Sequence, residues 1–252
     1  MIMIKTREQI ALMQKAGELL HAVLTELRAM IKPGVTTLEL DEYAYRRITA
    51  AGAQPSFKGY RGFPFTICAS PDHQVVHGLS NTTPLREGQI LSIDCGVILD
   101  GWQADSAFTQ GVGQVSPKAR KLMEVTEECF FIGAAQAMVG NRVGDISGAI
   151  QSHAESHGYS LIRALCGHGI GRQMHEDPEV PNFGEAGRGM RLREGMVLAI
   201  EPMVAAGEYH VNFEDDGWTV YTKDHGLCSH YEHTVAVTAD GPRLLTLPEQ
   251  CS

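Results

Sequence analysis

One ten-residue stretch of this chain occurs twice, and the repetition constrains the fold more than any other feature. Residues 85–94 read LREGQILSID and residues 192–201 read LREGMVLAIE. Six of the ten positions are identical, and the others include Ile for Val, Ser for Ala and Asp for Glu. Internal repeats of this kind announce a duplicated structural unit. The repeat predicts two equivalent α/β halves, roughly 1–115 and 116–252, meeting at a shared site to which each delivers one carboxylate, Asp94 or Glu201. No low-complexity linker divides the 252 residues, so the halves are expected to form one domain, 1–252.

Local signals fill in the elements. Thr6 to Gln9 is a capping box, followed at helical spacing by Ile10, Met13, Leu20, Leu24, Leu27 and Ile31, with Pro33-Gly34 as the stop. A second box, Thr36 to Glu39, opens a helix ending near Gly52. Residues 53–84, rich in Gly, Pro and aromatics, read as irregular with short extended pieces. Ile90 to Ile98 is β-branched and alternating, Asp100-Gly101 is a two-residue turn signal, and Trp102 to Thr109 returns as the partner strand. Ser116-Pro117 starts a long helix expected to reach Gly140. A helix over about 144–157 and a strand over Tyr159–Leu165 follow. The last third is strand-like, with turns at Gly207, Asp216-Gly217 and Asp240-Gly241.

Composition excludes several classes of function. Thirty acidic against twenty-one basic residues give a net charge of −9, and no basic stripe is present, so nucleic acid is not an expected partner. No apolar run approaches the ~18 residues that span a bilayer. The opening MIMIKTREQI lacks a basic leader followed by an apolar segment, so no secretory signal is expected. Six cysteines, at 68, 95, 129, 166, 228 and 251, contain no CxxC pair and read as free thiols of a reducing cytoplasm.

The chemistry lies in acidic residues placed where acids are costly. Asp94 interrupts the apolar strand ILSIDCGVIL, and an ionised carboxylate there needs a partner or a metal. A turn at Asp100-Gly101 puts Asp105 on the same face, one diagonal step away, roughly 7–8 Å between backbones. Glu201 ends the apolar run VLAIEPM, and Glu232 opens the strand in HYEHTVAV. Such carboxylates repel unless cations sit between them, which points to divalent metal, two ions. His168, in CGHGIGR, has flanking glycines that remove bulk and allow unusual dihedrals, which suits a ligand. His73 and His77 have zinc-pair spacing only if helical, and the intervening Gln-Val-Val favours an extended chain. His175 lies too far from His168 for a local zinc motif, and HEDP is not HExxH. His233 alternates away from Glu232, towards a supporting or surface position, while His210, His225 and His230 have no distinguishing context. There is no GxSxG for a serine hydrolase and no phosphate loop.

Taken together, IKT, KPGVTT, GYRGFP, VVHGL, the Asp94/Asp105 hairpin, CGHGIGR, MHEDPEVPNFG, IEPM, DGWTV and YEHTVAVT occur in an order that resembles the type I methionine aminopeptidases, the short bacterial members of peptidase family M24. The resemblance runs from about residue 4 to 246. Glu201 comes only 33 positions after His168, which leaves no room for the helical insertion of type II enzymes. The resemblance implies the pita-bread fold, an α/β (α+β) architecture with pseudo-twofold-related halves around a central antiparallel sheet. It implies two metal ions held by Asp94, Asp105, His168, Glu201 and Glu232, with Asp105 and Glu232 bridging. It makes His77 and His175 substrate-contacting histidines. Tyr60, Phe63, Cys68, Met174 and Trp218 fall where the family lines its methionine pocket.

This chain also departs from the family pattern. Val76 replaces a usual cysteine, Asp72 stands at an asparagine position, Cys95-Gly96 follows Asp94, Ser106-Ala107 follows Asp105, and Met174 takes a commonly aromatic position. None removes a ligand.

The implied activity is removal of N-terminal methionine from nascent proteins and peptides when the next residue is small. Attack would come from a metal-bridging hydroxide, with Glu201 as proton carrier and His175 polarising the carbonyl. Imidazole and carboxylate ligation without thiolate suits Co, Mn, Fe or Zn. The expected setting is a cytoplasmic monomer, transiently near the ribosome, with no nucleic acid or membrane partner. Two other readings stay open: an aminopeptidase P or prolidase-like Xaa-Pro peptidase, and a non-catalytic peptide-binding module on the same fold.

Overall fold

The structure, a computed structural model, describes residues 2–248; Cys251 lies outside them. Two capped helices come first. In α1 (Arg7–Met30) the Thr6 hydroxyl accepts the Gln9 N–H and the Gln9 side chain accepts the Thr6 N–H. Thr36 and Glu39 close the same reciprocal box on α2 (Thr37–Ala50). Three short strands follow: β1 (Gln54–Pro55), β2 (Ile67–Pro71) and β3 (Gln74–Val76). The predicted hairpin is β4 (Ile90–Leu99) and β5 (Trp102–Gly111), joined by Asp100 and Gly101 at φ 51° and 75°, the left-handed pair a tight two-residue turn requires. Then come α3 (Pro117–Ala134), α4 (Val143–Ser156), β6 (Ser160–Leu161), β7 (Cys166–Gly169), β8 (Glu176–Pro181) and β9 (Val197–Ile200). The chain ends through β10 (Met203–Ala205), β11 (Val211–Phe213), β12 (Val220–Thr222), β13 (Cys228–His230), β14 (Glu232–Thr238) and β15 (Gly241–Leu244).

A nine-stranded sheet runs β1-β4-β5-β14-β9-β7-β8, with β2 also on β4 and β15 also on β14. Its centre is the β5/β14 contact, where Glu232 pairs with Ala107. On either side of that line the two copies of LREG are held by the same bonds. Gly88 and Gly195, at φ 90° and 85°, donate their N–H groups to Val112 and Val237, each at 2.9 Å. Val112 and Val237 donate back to Gln89 and Met196, each at 2.8 Å. The duplicated sequence therefore builds a duplicated strand start, and β4–β5 and β9–β14 are its two copies. Helices α1 and α3 pack on this sheet, α4 packs on α3, and Leu20, Leu27, Ile93, Phe108, Leu122 and Phe130 are fully buried between the layers, each such side chain contributing about 1.5–3 kcal/mol.

Two expectations need correction. Helix α3 stops at Ala134, short of Gly140. The next residues are drawn to the second LREG segment: Gly140 donates to Leu192 O, Leu192 donates to Asn141 O, and the Asn141 amide caps Gln136 O. The strand over Tyr159–Leu165 is reduced to Ser160–Leu161 because the chain changes sheets there. Strand β6 pairs with β10 in a small three-stranded sheet, whereas β7 joins the large one beside β9.

Candidate metal centre

The acidic residues are brought together by register. Asp94 of β4 pairs with Ala107 of β5, which in turn pairs with Glu232 of β14. Between the two acids lies only a methyl group, so both side chains have room to reach one point. Asp105 pairs with Gly96, the residue two places beyond Asp94 on the same strand face. Glu201 follows directly on β9, next to the residue that pairs with His233 of β14. His168 reaches the cluster from β7, opposite Ala199. Its flanking glycines work through space. A Cβ at Gly167 would sit 2.4 Å from Ala199 O, and one at Gly169 would sit 2.2 Å from Asp177 O. Neither glycine is at positive φ, so contrary to the sequence expectation they supply space and not unusual dihedrals.

His168 Nε2 lies 3.6 Å from Glu201 Oε1 and 3.9 Å from Asp105 Oδ2. Its Nδ1 is 2.9 Å from the Gly169 carbonyl; a carbonyl only accepts, so Nδ1 carries the proton. Burial pushes the imidazolium pKa down to about 4, with His175 as a lesser cause. The ring is therefore neutral at pH 7 with a bare Nε2 lone pair facing the carboxylates, the tautomer a metal ligand needs. Burial raises the carboxyl pKa values of Asp94, Glu201 and Glu232 well above the usual range, and mutual repulsion adds to it. Asp105 is raised to about 7, again by burial.

A cation fits this cluster, because several of its buried oxygens are unmatched. Asp94 Oδ1, Asp105 Oδ1 and Glu232 Oε1 are buried without a hydrogen-bond partner, a state that costs about 1–3 kcal/mol per group and more when charged. Ligand atoms of Asp105, His168 and Glu232 all lie within 4.8 Å of one another. Oxygen acceptors aimed at a shared space, with one neutral imidazole, match divalent metals of the Mn, Fe, Co and Zn series.

Above the carboxylates opens a cavity of about 190 Å³ walled by Phe57, Tyr60, Phe63, Cys68, His77 and Trp218, with Arg61 and His175 at its edge. Phe63 meets Trp218 edge-on at 5.1 Å. Tyr60 Oη is 2.9 Å from His175 Nδ1, and the His175 ring is 4.3 Å from that of His168. His77 holds φ 59°, a left-handed conformation uncommon for a residue with a Cβ. Burial takes its pKa down to about 4. Asp72, at the departure from the family's asparagine, ties the preceding loop to β4 by accepting from Ile90 N at 3.0 Å and Gln89 Nε2 at 2.8 Å. A larger cleft, about 660 Å³, lies between Lys5, Arg7, Glu194 and the β14–β15 hairpin and contains none of these groups.

Thus Asp94, Asp105, His168, Glu201 and Glu232 share one floor, and Tyr60, Phe63, Cys68, His77, His175 and Trp218 stand around it. Met174 does not. It is 2% exposed, clustered with Trp102 and Ile170 behind Phe57 and Tyr60. Met174 Cε fills the space where a Cβ on Gly96 would fall, 2.9 Å away. The departures at 96 and 174 thus touch each other. His230 is also corrected: it is 1% exposed, and its unpartnered Nε2 lies 3.8 Å from both Glu201 Oε2 and Glu232 Oε2. The signal was its period-two spacing from Glu232 in SHYEH. His233 is buried, not superficial, and its Nδ1 contacts Ser106 Oγ at 3.0 Å and Thr246 Oγ1 at 2.8 Å. His73 turns away and packs on Tyr221 and His225. Phe57 and Arg61 were missed in the aromatic, glycine-rich segment that also supplies Tyr60.

A duplicated antiparallel sheet with a buried carboxylate–imidazole floor beneath an open pocket defines a metal-dependent hydrolase of the pita-bread class. Comparison with known proteins narrows the class. The chain belongs to metallopeptidase family M24, whose model matches residues 11–239. It is 53% identical over 247 residues to the methionine aminopeptidase of Clostridium perfringens, covering 98% of this chain and 99% of that one. The crystal structure of methionine aminopeptidase from Rickettsia prowazekii superposes with a TM-score of 0.97 at 42% identity, over 98% of this chain and 100% of that one. Prolidase from Pyrococcus furiosus, at 22% identity and a TM-score of 0.78 over 98% of this chain and 66% of that one, shares the fold alone.

Proposed function

We propose that this chain is a metal-dependent methionine aminopeptidase acting on the N-termini of nascent polypeptides and short peptides whose second residue is small. The observation that carries the reading is the pairing of a five-ligand acidic floor with a small apolar-walled cavity directly above it. At about 190 Å³, the cavity is below the roughly 300–1,000 Å³ of clefts for drug-sized ligands. It suits one side chain and the adjoining peptide unit.

Asp94, Asp105, His168, Glu201 and Glu232 would hold the ions. Bound divalent ions supply charge compensation for the carboxylates, Lewis acidity and a water acidified towards neutral pH. The protein's own groups do the rest. Phe63 and Trp218 grip the first side chain. With Tyr60 donating to Nδ1, His175 keeps its proton on Nε2 and donates it to the peptide oxygen, stabilising the charge that grows there. His77, kept neutral by burial, hydrogen-bonds the scissile nitrogen. Glu201, between His168 and His230, takes a proton from the attacking water and returns it to the leaving nitrogen. The enzyme is proposed to work as a cytoplasmic monomer passing near the ribosome.

The test is hydrolysis of Met-Ala-Ser against Ala-Pro-Ala before and after chelation. Met-Ala-Ser should be cleaved, chelation should abolish cleavage, and Mn or Co should restore it. Preference for Ala-Pro-Ala, or full activity in a demonstrably metal-free sample, would overturn the proposal.

A further inference from the structure

Away from the acidic floor, α4 ends with two histidines one turn apart, His153 and His157, which therefore face the same side. Their ring centroids are 4.6 Å apart with planes inclined at 55°. Helix α3 presents Glu128 opposite them, with Oε2 2.8 Å from His153 Nε2. One ligand atom from each of the three lies within 4.8 Å of the others. We propose that Glu128, His153 and His157 form a second, peripheral metal site for a borderline-soft divalent ion of the Zn, Ni or Cu type, clamping α3 to α4.

Three features support binding over a plain hydrogen-bonded surface pair. Ligands at 2.0–2.2 Å from a tetrahedral ion stand roughly 3.3–3.6 Å apart, so closure requires shifts on the order of 1 Å in side chains that are at least partly solvent-exposed. His157 Nδ1 is 2.9 Å from the His153 carbonyl and 3.3 Å from Ser156 Oγ. The carbonyl fixes the proton on Nδ1 and leaves Nε2 as the free lone pair, the support that metal-binding imidazoles typically have. The site also lies at the C-terminal end of α4, the negative end of the helix dipole, which favours a cation. Two imidazoles and one carboxylate prefer Zn, Ni or Cu, whereas the floor of four carboxylates and one imidazole is the harder set and accepts Mn. Ni²⁺ also exchanges with Mn²⁺ at the floor, but that exchange is common to wild type and a variant lacking the two histidines, so the difference between them reports the peripheral site.

The test uses the intact chain saturated with Mn²⁺ and titrated with Ni²⁺ by calorimetry, beside a His153→Ala/His157→Ala double variant. Wild type should take one more equivalent of Ni²⁺ than the double variant, and Glu128→Gln should weaken that binding at least tenfold. Ni²⁺ should raise the melting temperature of wild type by a margin the double variant lacks. Peptide hydrolysis by the Mn-loaded double variant should match wild type, since none of the three side chains lines the catalytic cavity. Repeating the titration on Asp105→Asn should preserve the extra equivalent, so failure at the acidic floor is separable from failure here. Equal Ni²⁺ stoichiometry and affinity in wild type and double variant would overturn the proposal.

Discussion

Asp41 shows, away from the catalytic floor, how this protein handles a buried acid without a cation. It is 3% exposed, and its Oδ1 accepts the Thr66 N–H at 2.7 Å and the Ile67 N–H at 2.9 Å. Burial still outweighs those two bonds and Lys58, and the pKa is raised. Because the folded value lies above the unfolded one, its stabilising contribution is present below the unfolded pKa and lost as pH rises through the folded one. At pH 7.5 the charge is a cost and the acceptor is the benefit. Asp41→Asn, which keeps Oδ1, is expected to stay close to wild type in urea denaturation, whereas Asp41→Ala should lose about 1–3 kcal/mol by orphaning two buried donors. At the floor, Asp105→Asn is expected to lower kcat/KM by at least a hundredfold and reduce bound metal measured by elemental analysis. His230→Leu should lower kcat/KM about tenfold or more with metal content retained, and His230→Gln should recover part of the loss. Loss of metal in His230→Leu would make His230 a ligand instead. The five floor residues were legible because Asp94 interrupts an apolar strand, Glu201 and Glu232 stand at the ends of two others, the Asp100-Gly101 turn sets Asp105 on the face of Asp94, and His168 is stripped of neighbouring bulk. His230 carried only a weak local signal, its period-two spacing from Glu232, and half of its meaning comes from Glu201, which approaches through a different strand. Met174 was misread for a related reason: its sequence position fits the pocket wall, but the side chain passes behind Phe57 and Tyr60 to cover Gly96.

Elements with their own start and stop chemistry were readable one by one. Both capping boxes, the Asp100-Gly101 turn and the Ser116-Pro117 start stand where local chemistry puts them. What the sequence left unread is where tertiary contacts end an element early. The residues after Ala134 keep helix-compatible character but are taken by the second LREG segment, and the run after Tyr159 changes sheets. Close approach is equally invisible to propensity. Gly17, inside α1, would place a Cβ 1.8 Å from Leu245 O, so the helix lies directly on the backbone beyond β15. In an exposed helix Gly→Ala stabilises by about 1 kcal/mol. Here Gly17→Ala is expected to destabilise by roughly 1–3 kcal/mol, the usual range for overpacking, and to lower the thermal midpoint. An unchanged or higher midpoint would show that α1 can lift off the sheet freely.

At the scale of the whole molecule, the duplication supplies one acid per half at equivalent places, Asp94 and Glu201, and closes the sheet on a row that adds Glu232. The arrangement concentrates negative charge at the line between the halves, and the chain stripped of metal must answer it with protons. The carboxyl pKa values at the floor are raised, Asp105 to about 7 by burial, and Asp94, Glu201 and Glu232 well above the ordinary carboxyl range by burial and mutual repulsion. Their contribution to stability is therefore complete below the unfolded carboxyl pKa and lost as pH rises through the folded values. The buried histidines act in the opposite sense. His77 and His168 are lowered to about 4, and His230 and His233 to about 3, each chiefly by burial. Their contribution is present above the unfolded value near 6.5 and is lost as pH falls towards 4. Between about pH 5 and 6.5 the two sets offset each other; above 7 only the carboxylates still change. The stripped protein is accordingly expected to keep a nearly level melting temperature from pH 5 to 6.5 and to lose stability as the pH rises past 7. Divalent metal, which takes the place of the protons, should remove that alkaline decline. Differential scanning calorimetry of the stripped and Mn-loaded chain across this range is the measurement. A stripped protein whose midpoint rises from pH 7 to 9 would mean that the floor carboxylates are ionised and stable without a cation, against the burial and register that bring them together.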